Sequence, residues 1–142
     1  MKITYKLFTA LAAICFLLGC SVKEPPRDSS GKTPQQVLMD TYVLILEGKY
    51  EDAKNNFSPE FIEEFVTKKN ITFVEYCGNT KGWKSEWLKT KLVGNDYNDE
   101  LWRVKIIPDE GKGSENSPGI VQDLYIIDSV WKIAFWNHYP KS

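Results

Sequence analysis

The sequence is poor in the residues on which catalysis and metal binding usually rest. It holds one histidine in 142 residues. That residue, His138, stands in Asn137-His138-Tyr139-Pro140 with no cysteine or carboxylate at ligand spacing, which argues against a zinc site. There are three cysteines, and only Cys77 lies beyond position 20. The body of the chain therefore forms no internal disulfide and must rest on its core alone. Cys77 has no base beside it in sequence and reads as a small buried hydrophobe. Neither a glycine-rich phosphate loop nor a Gly-x-Ser-x-Gly elbow occurs. No motif asks for a cofactor, and none is expected. Basic charge is not in excess: 18 Lys and Arg stand against 19 Asp and Glu. That balance excludes a globally basic nucleic-acid binder, and no nucleic-acid partner is expected. Long apolar runs are absent after Leu18. The run Leu7 to Leu18 is shorter than the roughly 20 residues a membrane span needs.

What is present begins with that short run. Lys2 and Lys6 precede it as a positive flank, in the pattern of an export signal. It ends in Leu17-Leu18-Gly19-Cys20. This stretch resembles the lipobox of bacterial lipoprotein precursors. The chemistry fits the residue types: a thiol takes up the lipid, small Gly19 admits the peptidase, and Leu17 fills an apolar subsite. An ordinary secretory signal with a chance cysteine is the alternative. The resemblance implies cleavage before Cys20, lipidation of Cys20, and a domain held outside the cytoplasm on a bacterial cell membrane or outer membrane. Ser21 is not an aspartate-type retention signal, so the outer membrane is expected where there is one. Loss of Lys2 and Lys6 leaves 16 basic against 19 acidic side chains, a net charge of −3.

Residues 21–32 follow as Ser-Val-Lys-Glu-Pro-Pro-Arg-Asp-Ser-Ser-Gly-Lys. With one apolar residue besides its prolines, this segment is expected to be a flexible tether, reaching about 40 Å when extended. A single domain is expected over 33–142, long enough for a self-sufficient core. Thr33-Pro34-Gln35-Gln36 is a helix start, with Thr as N-cap and Pro at the first helical position. The helix should run to about Glu47 and stop at Gly48. It is apolar on most sides and is expected deep in the fold. A short helix over Tyr50 to Asn56 follows, and Ser58-Pro59 restarts a third carrying Phe61, Ile62, Phe65 and Val66. Its Glu60, Glu63 and Glu64 read as a solvated face or, less simply, a metal site. Thr72 to Gly78 is open to a capped helical turn or a short strand.

From Trp83 the period changes to alternation. Strands are expected over Glu86 to Val93, Leu101 to Ile107, Ile120 to Ile127 and Val130 to Trp136. Gly94-Asn95-Asp96 and Asp128-Ser129 should be turns, giving antiparallel hairpins. Helices first and strands after is an α+β pattern. The segment Glu47 to Ala53, then Phe57-Ser58-Pro59-Glu60, is similar to the opening of nuclear transport factor 2-like domains. Asp128-Ser129-Val130-Trp131-Lys132-Ile133 resembles their closing hairpin, though glycine usually stands in that turn. The likeness is nearest to the small bacterial lipoproteins of unknown function in that superfamily. It implies a cone, a curved four-stranded sheet wrapped on a long helix, with a pocket between them.

Some proteins of that superfamily are enzymes, so an isomerase or cyclase-like activity in the pocket is the alternative to a binding module. Such chemistry needs a carboxylate base and a hydrogen-bond donor inside. The expected inward residues, Leu88, Thr90, Leu92, Trp102, Val104, Ile106, Leu124, Ile126, Trp131, Ile133 and Phe135, supply neither. Asp40 and Tyr42 on the first helix are the nearest candidates, and the expectation is that they do not converge. The other surface is the outward sheet face. There the parity gathers Lys89, Lys91, Arg103, Lys105 and Lys132 with Trp87, Tyr125 and Trp136. Cations mixed with aromatics can bind an anionic glycan, a lipid headgroup or an envelope protein; a solvated face is the plainer reading. The sequence favours a non-enzymatic binding module.

Overall fold

The computed structural model describes residues 23–96, 100–109 and 119–135. Helix α1, Pro34–Leu46, starts where the capping signal lies. Thr33 Oγ1 accepts from Gln36 N at 3.3 Å, and Thr33 N donates to Gln36 Oε1 at 2.9 Å. Val37, Leu38, Thr41, Tyr42 and Ile45 form its buried stripe, at the spacing of one helix face. Gly48 leaves the helix with φ +75°, a conformation costly for any residue with a Cβ. Helix α2, Tyr50–Lys54, buries Ala53. Ser58 then caps α3, Pro59–Ile62, by accepting from Phe61 N. The chain continues as a π-helical turn over Glu63–Thr67. Phe61 and Phe65 stay stacked through that widening, at 5.1 Å between ring centres. Of the two readings for 72–78 the helical one holds: Thr72 and Glu75 make a capping box for α4, Phe73–Tyr76.

The sheet contains β1, Leu88–Asp96, β2, Leu101–Pro108, β3, Ile120–Ile127, and β4, Val130–Ala134. Its order is β1-β2-β3-β4 with every pair antiparallel. The molecule is thus α+β, with α1 against β1, β2 and β4. Three expected boundaries shift, one of them the end of β4, which stops at Ala134 and leaves Phe135 outside the strand. Gly94-Asn95-Asp96 is strand, not turn: Gly94 faces Arg103, and the register slips between Leu92 and Gly94. A glycine there suits a β-bulge, which re-aims the strand without ending it. Glu86 and Trp87 do not join β1; Ser85–Trp87 is a 3₁₀ turn. The β3–β4 turn is as read. Asp128 and Ser129 both have positive φ, 49° and 69°, as a two-residue hairpin matching the strand twist requires.

One sheet face meets α1. Trp102, Val104, Ile106, Leu124, Trp131 and Ile133 are buried there with Leu38, Tyr42 and Phe61 in one core. Phe135 is half-buried and stacks on Phe61 at 4.4 Å. Ile126 was expected inside, but it lies at the hairpin end of the sheet and is 42% exposed. Gln122 shares the inward parity of Leu124 and is buried.

The stretch 23–32 departs most from expectation. It is not a free tether. Pro25 and Asp28 are buried. Trp131 Nε1 donates to Pro26 O at 3.2 Å, and Ser29 N donates to Ser129 O at 2.9 Å. Asp28 Oδ2 accepts from Trp131 N at 3.1 Å, while Oδ1 accepts from Ser30 N, Ser30 Oγ and Lys32 N. Polar composition misled here because the segment docks through backbone groups and one carboxylate, not through apolar burial. It acts as a strap along the outer edge of β4. The 56–58 segment completes that edge, since Ile133 N donates to Asn56 O and Ser58 N donates to Ile133 O, both at 2.8 Å. Residues 21 and 22 lie outside the described residues.

Candidate binding surface

The outward face of the sheet is set by alternation. Reading across the strands, Lys89 faces Ile107; Lys91 faces Lys105, which faces Val121; Arg103 faces Asp123. Tyr125 pairs with Leu101 on one side and Lys132 on the other. The face therefore gathers the five predicted cations, but the structure treats them differently. Lys89 pairs with Asp109. Arg103 Nε donates to Asp123 Oδ1 at 2.8 Å. Lys132 Nζ donates to Asn55 O at the end of α2. These three are committed within the fold.

Lys91 and Lys105 are not. They sit directly across from one another on adjacent strands, and among the described residues neither side chain has a hydrogen bond or ion pair. Side chains so placed lie about 5 Å apart at Cβ, where like charges repel. Val121, beside Lys105, is 47% exposed. Two uncompensated cations beside an exposed aliphatic side chain make a compact cationic spot.

The aromatic part of the expected patch does not assemble. Trp87 lies in the 3₁₀ turn before β1, with Lys84 Nζ 4.5 Å from its ring centre. Tyr125 is 4% exposed, in a small cluster with Leu101, Ala134 and Ile127. Burial raises its phenol pKa, with a smaller contribution from Glu60. Cys20, Trp136 and His138 lie outside the described residues.

The helix candidates point apart, as positions two residues apart on a helix must. Asp40 pairs with Lys32 at 2.7 Å on the surface. Tyr42 is buried, and its hydroxyl accepts from Gln122 Nε2 at 3.3 Å. Burial raises the Tyr42 pKa well above its ordinary value, against the Gln122 hydrogen bond. Tyr76 is raised for the same reason, opposed by its own hydrogen bond with Gln122. Gln122 thus sits between two phenols as the polar group of the inner face. Its parity with Leu124 was the available signal. Cys77 is buried, and desolvation pushes its thiol up to about 12, so it is neutral and unreactive. Of the acidic cluster, Glu64 pairs with Lys68 at 3.0 Å. Among the described residues no group of three or more His, Cys, Asp and Glu converges on a metal position.

A concavity lies on the other side of the sheet. The strap, the first turn of α1 and β1 enclose a cleft of about 430 Å³. Lys23, Glu24, Pro25, Arg27, Gln35 and Leu92 line it. Arg27 Nη1 donates to Gly31 O at 2.7 Å, and no carboxylate pairs with its guanidinium among the described residues.

Comparison of the chain with protein-family models, with characterised proteins and with solved structures returns no match. Among the described residues no helix is long and apolar enough to cross a membrane.

Proposed function

We propose that the chain is a lipid-anchored protein of a bacterial envelope whose domain works by binding an anionic partner, not by catalysis. The anchor half of this reading is supported by Lys2, Lys6 and Leu17-Leu18-Gly19-Cys20. The binding half is carried by one observation: Lys91 and Lys105 face each other with no counter-charge among the described residues, while Lys89, Arg103 and Lys132 are each engaged within the fold. A carboxylate, phosphate or sulfate seated between them would relieve the repulsion and gain two charge-assisted hydrogen bonds. The net negative charge of the chain keeps that attraction local to the spot. The isomerase or cyclase reading asks for Asp40 and Tyr42 to meet in one site. Asp40 turns to Lys32, and the Tyr42 hydroxyl is held by Gln122.

The test is capture of partners from envelope extracts by wild type and by a Lys91→Ser/Lys105→Ser double variant. A Lys54→Ser/Lys81→Ser variant of equal charge serves as control. The double variant should fold normally and lose capture, and the wild-type capture should weaken as salt shortens the range of the field. Undiminished capture by the double variant, or equal loss in the control, overturns the reading.

A further inference from the structure

The strap changes what an anchor on Cys20 can do. Five Cα steps separate Cys20 from buried Pro25, a reach of about 18 Å at full extension. A domain of this length is roughly 35 Å across. A free tether of about 40 Å would let any face turn to the bilayer. A leash of about 18 Å keeps the strap side nearest. That side presents Lys23 and Arg27 at the rim of the 430 Å³ cleft, with Glu24 the one acidic group lining it among the described residues. Lys91, Lys105 and Val121 occupy the opposite face, because α1 and the strap meet the inward side chains Leu92 and Trp131 and these three alternate outward.

We infer that the domain is mounted strap-side-down, with Lys23 and Arg27 against phospholipid headgroup phosphates and the Lys91–Lys105 face turned away from the anchoring bilayer. This rests on the proposed lipid on Cys20 and sharpens the proposed function. The cationic spot then meets partners across the aqueous side, not the lipids beside its own anchor. The strap is held by Asp28, whose two oxygens tie it to its own turn and to β4. Without that clamp the leash lengthens to twelve residues and the orientation is lost. Each cation near an anionic surface strengthens attraction by about fivefold. Lys23 and Arg27 therefore bias a geometry that the short leash already imposes.

The experiment uses the full lipidated protein in vesicles of phosphatidylcholine with one quarter phosphatidylglycerol, a fraction of the lipid carrying a nitroxide on the headgroup. A fluorophore is attached at Lys32→Cys on the strap side or Val121→Cys on the outer face. Buried, neutral Cys77 leaves each new thiol as the reactive one. Quenching should be several-fold stronger at position 32 than at 121. In an Asp28→Ala background the two should converge. Equal quenching at both positions, or stronger quenching at 121, overturns the mount. Mass spectrometry of the same sample reads the lipid on Cys20. Its absence overturns the anchor reading and the mount together, whereas equal quenching on lipidated protein overturns the mount alone. Neither result touches the capture assay, which reports on Lys91 and Lys105.

Discussion

Replacing Asp28 by Ala removes the clamp between the strap and the last hairpin. Asp28 is 8% exposed, and its carboxylate accepts four hydrogen bonds. After the change, Ser30 and Lys32 can turn their donors to water, since both residues are exposed. Trp131 N–H is less fortunate, because its residue is 1% exposed. An orphaned buried donor costs about 1–3 kcal/mol, and a charged acceptor adds more than a neutral one. The expected loss is about 2–4 kcal/mol, or a fall in Tm of about 10–25 °C for a domain of this length. Asp28→Asn keeps one acceptor oxygen and should lose about half as much. The dependence on pH has a definite sign. Burial alone would raise the Asp28 pKa; the hydrogen bonds from Ser30, Trp131 and Lys32 outweigh it and hold the value below the ordinary 3.8. A carboxylate depressed in the folded state contributes its stability above the unfolded-state pKa. That contribution is lost as pH falls past 3.8 and through the folded-state value. Urea unfolding of wild type and Asp28→Asn should therefore show a gap at pH 7 that narrows in acid. Hydrogen exchange at the Trp131 and Ser29 amides should rise together in Asp28→Ala. A loss within 0.5 kcal/mol of wild type, as at ordinary surface sites, would refute the reasoning.

Trp131→Ala removes a core ring and its bond to Pro26 O, and should cost about 3–5 kcal/mol by urea unfolding. Lys105→Glu places opposite charges across β1 and β2. It should raise stability by about 0.2–1 kcal/mol while abolishing capture of the proposed anionic partner, so a fall in stability, or capture that persists, would count against the spot. Ser129→Gly relieves a left-handed residue at φ 69° and keeps the carbonyl that Ser29 uses. A gain of about 0.5–1 kcal/mol is expected, and a loss would show that the serine side chain matters.

Much of the fold was legible because its signals are local. Thr33-Pro34-Gln35-Gln36 and Thr72 with Glu75 fixed two helix starts through capping chemistry. Alternation located all four strands, and Asp128-Ser129 marked the tight hairpin. What was missed depends on partners far away in sequence. Gly94 reads as a turn by residue type, and only its pairing with Arg103 makes it part of a bulge. The strap looks like a linker because its attachments are backbone hydrogen bonds and one aspartate, which composition does not reveal. For the candidate site, parity placed the five cations on one face correctly. It could not say which had partners: Asp123 and Asp109 lie 20 residues from Arg103 and Lys89. Trp87 was misplaced because a 3₁₀ turn interrupts the alternation just before β1.

The clamp also constrains when the domain can be finished. Asp28 and Trp131 are 103 residues apart, near the two ends of the folded region. Local elements can form early, but this contact must wait for β4, and closing so long a loop is slow. A chain crossing a membrane N-terminus first would expose residues 20–28 long before β4 arrives. Throughout that interval the strap has no β4 edge to dock on, and if Cys20 is processed as proposed, that step would precede docking of the strap. Docking then comes last, when β3 and β4 have paired. On the proposed lipidation of Cys20, the order of synthesis would keep that site open while it is needed, and the completed hairpin would shorten the leash afterwards.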